Sequence, residues 1–322
     1  MSAARFTLIM PTYNHGRWID DALRSIFDQA PYTLDVLVMD SVSTDRTAEI
    51  LAGYGSRIQW FRRKDKGQAD AINQGLSLAG GDIVAWLNSD DVYLPHALSR
   101  VNAAFDADPG LDFVYGDALE IDQHGRILTP NLFTEECRRD RFYFSHDFIC
   151  QPTLFFRRRC LEKVGRLRGE LRWFLDYQWL TGFFAAGLKG RRLPFFLAAN
   201  RDHPNTKTNS GGLRRWREIV GVLADTPPPG PPLLARRCLW IYSLEFAIKT
   251  VNAASWGASP EASRDAREAR AALLNTLNGW FMRLVAPRSF DDVLLRYRRD
   301  IARHGSTVQE LWSRAVQMSV VG

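Results

Sequence analysis

The stretch AWLNSDDVYLP, residues 85–95, is an apolar run that stops abruptly at Asn88-Ser89-Asp90-Asp91 and then meets a proline. Two adjacent carboxylates at the end of a buried segment either hold a ligand or form a solvated turn that opens the next helix. The residue types alone leave both readings open. Three other polar clusters raise the same question: Pro11-Thr12-Tyr13-Asn14, Asp40-Ser41 and Lys66-Gly67-Gln68. Each by itself reads as a turn or a helix cap. Their common property is position, because each closely follows a short run rich in β-branched and aromatic residues.

Those runs are FTLIM (6–10), DVLVMD (35–40), IQWFRR (58–63) and DIVAWLN (82–88), and helical patterns lie between them over 18–29, 44–54, 68–78 and, after Pro95, 98–105. Strands alternating with helices at this spacing predict a parallel sheet covered on both faces, since parallel neighbours need a crossover. In such a sheet ligands collect beyond the carboxyl ends of the strands, so the four clusters come to one edge. After residue 111 the rhythm changes. A hairpin is expected to turn at His124-Gly125, a strand at QPTLFFRR (151–158), a helix over WFLDYQWLTGFFAAG (173–187) and a last strand over RLPFFLAANRDH (192–203). The expected organisation is a catalytic α/β domain over 1–210, with a nucleotide-binding half (1–110) and an acceptor half (111–210). A Pro/Gly-rich linker over 211–232 and an α-helical region over 233–322 follow.

The chain has 322 residues, enough for a substantial core, and a formal charge of +6. That charge is spread too thinly to indicate nucleic acid, although it favours an anionic substrate or membrane surface. Its four cysteines show no CxxC spacing, which suits reduced thiols. No long apolar segment precedes the first strand, and no stretch approaches the roughly 18 to 20 apolar residues needed to span a bilayer. The expectation is a cytoplasmic protein, peripheral at most to the inner face of a membrane.

The segments TLIMPTYNHGRWIDDALRSI, VLVMDSVSTDRTAEIL, DKGQADAINQGLSLAGGDIVAWLNSDDVYLP, QPTLFF and FLDYQWL resemble, in order and spacing, the family 2 glycosyltransferases of GT-A fold. The resemblance covers roughly residues 5–210. It implies an inverting transfer from a nucleotide-diphospho-sugar to a glycan or lipid-linked glycan acceptor, of the kind used in surface polysaccharide assembly. It implies further that Asp40 meets the donor's base, and that Pro11 and Thr12, with Asn14 and Ser89, support the nucleotide. Lys66, Gln68, Asp70 and Asn73 would line the donor side. Asn88-Ser89-Asp90-Asp91 occupies the family's DxD position, which implies Mg2+ or Mn2+ on Asp90, with Asp91 as a neighbouring partner or a helix cap. A histidine after the last core strand, here His203, supplies a second metal ligand. The base that deprotonates the acceptor corresponds to Asp176, whose neighbours Trp173, Phe174, Tyr177 and Trp179 would stack on sugar faces and raise its basicity by desolvation. Glu170 is the alternative base.

One departure is that the first DxD position holds Asn88, whose amide can hydrogen-bond the ribose or a metal-bound water. A sugar-1-phosphate nucleotidylyltransferase would need a glycine-rich basic loop after the first strand, and PTYNHGRW has one glycine and one arginine. A catalytically silent scaffold or sugar-binding subunit is the other alternative, opposed by the joint presence of Asp40, Asp90 and Asp176. In the C-terminal region Arg214-Arg215-Trp216, ARRC (235–238) and LLRYRRDIARHG (294–305) set arginines beside apolar residues. That composition fits either a helix lying on an anionic bilayer or the rim of a packing or dimer surface.

Overall fold

The computed structural model describes residues 6–29, 31–131, 134–139, 142, 147–203, 206–207, 212–225, 290–302 and 305–321. Strand β1 (Phe6–Thr12) lies between β2 (Leu34–Asp40) and β4 (Ile83–Trp86), parallel to both, and β3 (Gln59–Arg62) extends the parallel layer beyond β2. Every residue of β1 is buried, as expected for a strand with neighbours on both sides and helices on both faces. Its side chains alternate. Phe6, Leu8 and Met10 join one apolar cluster with α1 (Ile19–Phe27), α2 (Thr47–Tyr54) and α4 (Ala97–Ala107). Ile9 joins the opposite cluster with α3 (Gln68–Leu78). Helix α3 comes so close to β1 that a Cβ on Gly75 would lie 2.4 Å from Ile9 Cγ2, which explains the glycine in mid-helix.

The second half reverses direction. Strand β8 (Phe155–Arg157) runs antiparallel to β4 and to β6 (Phe113–Ile121), and the long β9 (Gly190–Arg201) runs parallel to β6. The sheet order is β3-β2-β1-β4-β8-β6-β9-β5, with β5 (Val92–Tyr93) on β9 and β7 (Ile127–Pro130) paired to β6. The hairpin turns where expected: Asp122 accepts the N–H groups of His124 and Arg126 at 2.8 and 2.9 Å, and Gly125 takes φ +80°. The strand expected over 151–158 shortens to three residues, because Pro152 has no N–H for a ladder and Gln151–Thr153 folds into a 3₁₀ turn. Helices α5 (Cys160–Val164) and α6 (Leu175–Ala185) complete the layer on the α3 side.

The linker expected over 211–232 is corrected by helix α7 (Gly212–Asp225). Ile219, Val222 and Leu223, at helical spacing, bury against Phe174, Leu175 and Leu180, and this amphipathic stripe outweighs the glycines that precede it. The proline cluster beyond it and residues 233–289, including ARRC, lie outside the described residues. Helices α8 (Phe290–Arg296) and α9 (Val308–Val321), joined by a π-helical turn over Tyr297–Ile301, place Val293, Ile301, Val308 and Leu311 on the far end of β6 and β9. In LLRYRRDIARHG the packing reading therefore applies to Arg296, whereas Arg298 and Arg299 are exposed. Among the described residues no helix is long and apolar enough to cross a membrane.

Arg296 reaches a buried charge cluster. Asp117 of β6, fully buried, accepts from Arg192 at 2.6 Å and from Arg296 at 3.0 Å. Arg192 keeps a second bond to Glu136 Oε1 at 3.2 Å, so taking away the acid leaves Arg296 the less compensated of two largely buried positive charges, at a cost of up to about 3–5 kcal/mol. Asp117→Ala is accordingly expected to lower the unfolding free energy by about that amount in urea titration. A loss below about 1 kcal/mol would show that the arginines find other partners.

Candidate active site

Strand pairing sets the first level of the site. Thr12 and Asp40 are opposite in register at the ends of β1 and β2, and Ile9 is opposite Trp86 two residues before Asn88. The neighbours of β1 mark the place where strand order reverses, the usual crevice for a ligand. Asp40 is buried; its Oδ1 accepts the Ser43 N–H at 2.8 Å, and its Oδ2 has no hydrogen-bond donor, the Arg62 guanidinium standing 3.5 Å away. A buried carboxylate oxygen without a donor is an acceptor held ready for one. Asn14 joins the two loops: in a left-handed conformation (φ 55°), it accepts from Thr44 N–H at 2.8 Å and donates its own N–H to Ser43 Oγ at 2.9 Å. Between them Val42, a β-branched residue, is held at φ 59°, a strain on the order of 1–3 kcal/mol located beside Asp40.

The second level is built on Asp90, which is buried. Its Oδ2 meets His203 Nε2 at 3.1 Å, and its Oδ1 lies 3.9 Å from His15 Nδ1. His15 Nδ1 also sits 2.9 Å from Ser89 Oγ, which donates to Thr12 Oγ1 at 2.9 Å. Trp18 stacks on His203 with ring centroids 4.1 Å apart. Burial pushes the Asp90 carboxyl up, but the His203 hydrogen bond and the His15 charge outweigh it and hold the group below its ordinary value. His15 is lowered, by burial first, with Asp90 opposing. Asp90 thus stays anionic among two imidazoles. Among the described residues no group of three or more His, Cys, Asp or Glu side chains is arranged as a complete metal cage.

Asn88 lies at the centre of an amide relay. Its Oδ1 accepts from Gln68 Nε2 at 2.7 Å, and its Nδ2 donates to Asp91 Oδ2 at 3.1 Å and to Gln151 Oε1 at 3.2 Å. Gln68 Oε1 in turn accepts from Lys207 Nζ at 2.6 Å. Asp91 does not cap a helix, since β5 follows it. Its Oδ1 accepts the Arg201 N–H at 2.9 Å, fixing the end of β9, and burial, then the charge of Asp90, hold it well above the usual carboxylate range.

Asp176 lies in the first turn of α6, half-buried, with Oδ1 on the Tyr177 N–H at 2.9 Å. Burial raises it above the usual aspartate value, opposed in part by the positive charges of Arg215 and Lys207. Its neighbours only partly match expectation. Phe174, Tyr177 and Trp179 are buried in the core, where Tyr177 stacks on Phe174 at 4.3 Å, so they desolvate the carboxylate without presenting a face to a sugar. Trp173 alone of the four is half-exposed. Glu170 is exposed and ion-paired to Arg168 at 2.7 Å. Just before α3, Lys66 is exposed, and Asp70 Oδ2 accepts the Lys66 N–H at 3.0 Å, closing the start of the helix. Asn73 uses both ends of its amide on the Leu167 backbone, 2.9 Å each way.

Three residues enter the site that sequence reasoning did not select: His15, Lys207 and Gln151. His15 stands one residue past the cluster at the end of β1, and the left-handed Asn14 before it turns the chain there. Lys207 is exposed as a residue, yet the burial of its amine, then the nearby Arg172, bring it down to about 8, and the charges of Asp176 and Asp90 both act on it.

The model for Glycosyl transferase family 2 matches residues 7–165. A PGL/p-HBAD biosynthesis glycosyltransferase of Mycobacterium tuberculosis is 30% identical over 182 residues, covering 55% of this chain and 68% of that protein. An uncharacterized glycosyltransferase of Nostoc sp. is 28% identical over 172 residues, 50% of this chain and 53% of its own length. The chain belongs to glycosyl transferase family 2. It spans a little over half the length of the Nostoc sp. and Rickettsia typhi relatives. Staphylococcus aureus TarS in complex with UDP-GlcNAc superposes with a TM-score of 0.57 at 17% identity over 98% of this chain and 91% of that one. The mannosyltransferase PcManGT from Pyrobaculum calidifontis, in complex with GDP-Man and Mn2+, gives 0.57 at 22% over 94% and 89%. At these identities the likeness is one of fold, and the fold is the GT-A type.

The relay makes the Asn88 amide specific. A carboxylate in its place would set acceptors against Asp91 Oδ2 and Gln151 Oε1, both of which now receive an N–H. Asn88→Asp, although it restores the family's usual residue type, is expected to lower stability by about 1–3 kcal/mol in metal-free buffer, read by thermal unfolding. An unchanged melting temperature would show that the relay carries no stability.

Proposed function

We propose that the chain is an inverting glycosyltransferase that moves a sugar from a nucleotide-diphospho-sugar to a hydroxyl of a glycan or lipid-linked glycan. The observation that carries this reading is the gathering at one sheet edge of the buried Asp40, whose Oδ2 has no donor, and the buried Asp90, which meets His203 Nε2 at 3.1 Å, with the Lys207 amine held 2.6 Å from Gln68 beside them. The ligands in the TarS and PcManGT structures, UDP-GlcNAc and GDP-Man with Mn2+, support a sugar linked to a nucleoside diphosphate.

In this reading the open Oδ2 of Asp40 accepts an N–H from the nucleobase, and Pro11, Thr12, Asn14 and Ser89 shape the floor beneath the nucleotide. Asp90 and His203, one carboxylate and one imidazole, suit a divalent cation that completes its shell with phosphate oxygens and water. When bound, Mg2+ or Mn2+ neutralises charge on the departing diphosphate. Lys207, with Lys66 at the rim, adds positive charge to the same end, and Gln68 orients Lys207. Asp176 takes the proton of the acceptor hydroxyl as its oxygen attacks the anomeric carbon. The bond from that carbon to the diphosphate oxygen breaks on the opposite face, and the configuration inverts.

A scaffold without activity would release no nucleotide, so donor hydrolysis in Mn2+ across UDP-, GDP- and dTDP-sugars separates the two readings. Asp176→Asn should keep donor affinity near wild type and lower turnover by at least about a hundredfold. Asp90→Ala should lose metal-dependent donor binding, and Asp40→Ala should weaken binding with or without metal. The pH profile has a definite sign. Asp176 acts deprotonated, so kcat falls with decreasing pH through an apparent pKa above the ordinary aspartate value of about 3.9. Lys207 acts protonated, so kcat/KM falls above about 8. A profile flat on both sides would remove both assignments.

A further inference from the structure

Helix α6, which carries Asp176, begins without a cap of its own: Phe174 stands at the N-cap and makes no side-chain capping bond. The start of any helix leaves N–H groups with no partner inside the helix. Here such groups, and those just before them, are gathered from a distance. Glu218 of α7 accepts from Trp173 N–H at 2.6 Å and Phe174 N–H at 2.8 Å through Oε1, and from Arg172 N–H at 2.9 Å through Oε2. Three charge-assisted bonds to one carboxylate, at the positive end of a helix, make a strong anchor.

The anchor is reinforced on both sides. Ile219 and Val222, just past Glu218, bury in the same cluster as Phe174, Leu175 and Tyr177. At the far end of α7, Asp225 accepts from Arg168 at 3.2 Å, so the helix is tied to the 168–174 segment at two points. Asp176 Oδ1 is itself bound to the Tyr177 N–H, so its carboxylate moves with the first turn.

We propose that Glu218 is a positioning residue: by gathering the backbone N–H groups of residues 172–174 it sets the first turn of α6 and thereby the place of the Asp176 carboxylate. The inference rests on the reading of Asp176 as the base. Helix α7 follows the segment that carries His203 and Lys207, so a single stretch of chain reaches the proposed metal ligand, the phosphate side and the anchor of the base.

The test uses the full chain with Glu218→Ala, Glu218→Gln and Asp176→Asn. Kinetics are followed as nucleotide release from whichever of the UDP-, GDP- and dTDP-sugars wild type hydrolyses in Mn2+, and amide hydrogen exchange is followed over residues 172–177. Glu218→Ala is expected to speed exchange across 172–174 and to lower kcat about tenfold to a hundredfold, with donor KM within about twofold of wild type, as for a displaced catalytic group. Glu218→Gln keeps Oε1 for Trp173 and Phe174 and gives up the bond to Arg172, so it should retain protection at those two amides and most of the turnover. A purely structural role would lower the melting temperature while leaving kcat per folded molecule unchanged, and that result overturns the proposal. So does unchanged exchange at 172–174 in Glu218→Ala. If Asp176→Asn keeps full turnover, the reading of the base fails, and the proposal falls with it even where hydrogen exchange reports the anchor intact.

Discussion

Parallel pairing of β1 with β2 on one side and β4 on the other determines where the polar groups of the N-terminal half of the site begin. Parallel strands finish at the same edge, and their register sets Thr12 beside Asp40 and brings the residues after Trp86 to the same level. The edge opens from a core whose strands are buried on both faces, so the side chains that emerge there are only partly hydrated. Desolvation acts on Asp90, Asp91 and Asp176 alike, and neighbours decide the outcome. Asp90 is held low by imidazoles, whereas Asp91 and Asp176 are raised, one by burial beside another carboxylate and one by burial near the apolar start of α6. One residue type in one site thus yields a carboxylate held low, one held well above the usual range and one of increased basicity.

Second to the strands come the contacts that close the edge. His203, at the exit of β9, reaches Asp90 from the opposite half of the sheet, and Lys207, four residues later, reaches Gln68 on the N-terminal half. The C-terminal half of the sheet is therefore joined to the N-terminal half by the short segment after the last long strand as well as by the continuous sheet.

Much of this arrangement was legible in the sequence. Short runs rich in β-branched and aromatic residues, alternating with helical patterns, indicated the parallel layer, and the rule for strand ends selected Asp40 and Asp90. Resemblance added His203 and Asp176. Orientation was less legible. Asn73 has a suitable residue type, but Leu167, ninety-four residues away, takes both ends of its amide. Tyr177 and Trp179 were read for their aromatic rings, while helical periodicity turns them into the core. His15 depends on a left-handed backbone at Asn14, which a non-glycine residue rarely announces. Residues 212–225 read as linker because Gly211 and Gly212 open the stretch and a proline cluster follows it, although the apolar spacing of Ile219, Val222 and Leu223 carried the opposite signal. Glu218 went unseen for the same reason, since no local pattern indicates that a carboxylate will cap a helix elsewhere in the chain.

The buried cluster of Asp117, Arg192 and Arg296 bears on how this architecture can be inherited. The region matched by the family model ends at residue 165, so it contains Asp117 and neither arginine. A chimera joined anywhere between 118 and 191 takes the acid from one parent and both bases from the other. Recombination within the family must therefore transmit the N-terminal module together with a compatible β9 and α8, or leave a charge stranded inside the sheet. The region that the family model matches is smaller than the unit that can be exchanged.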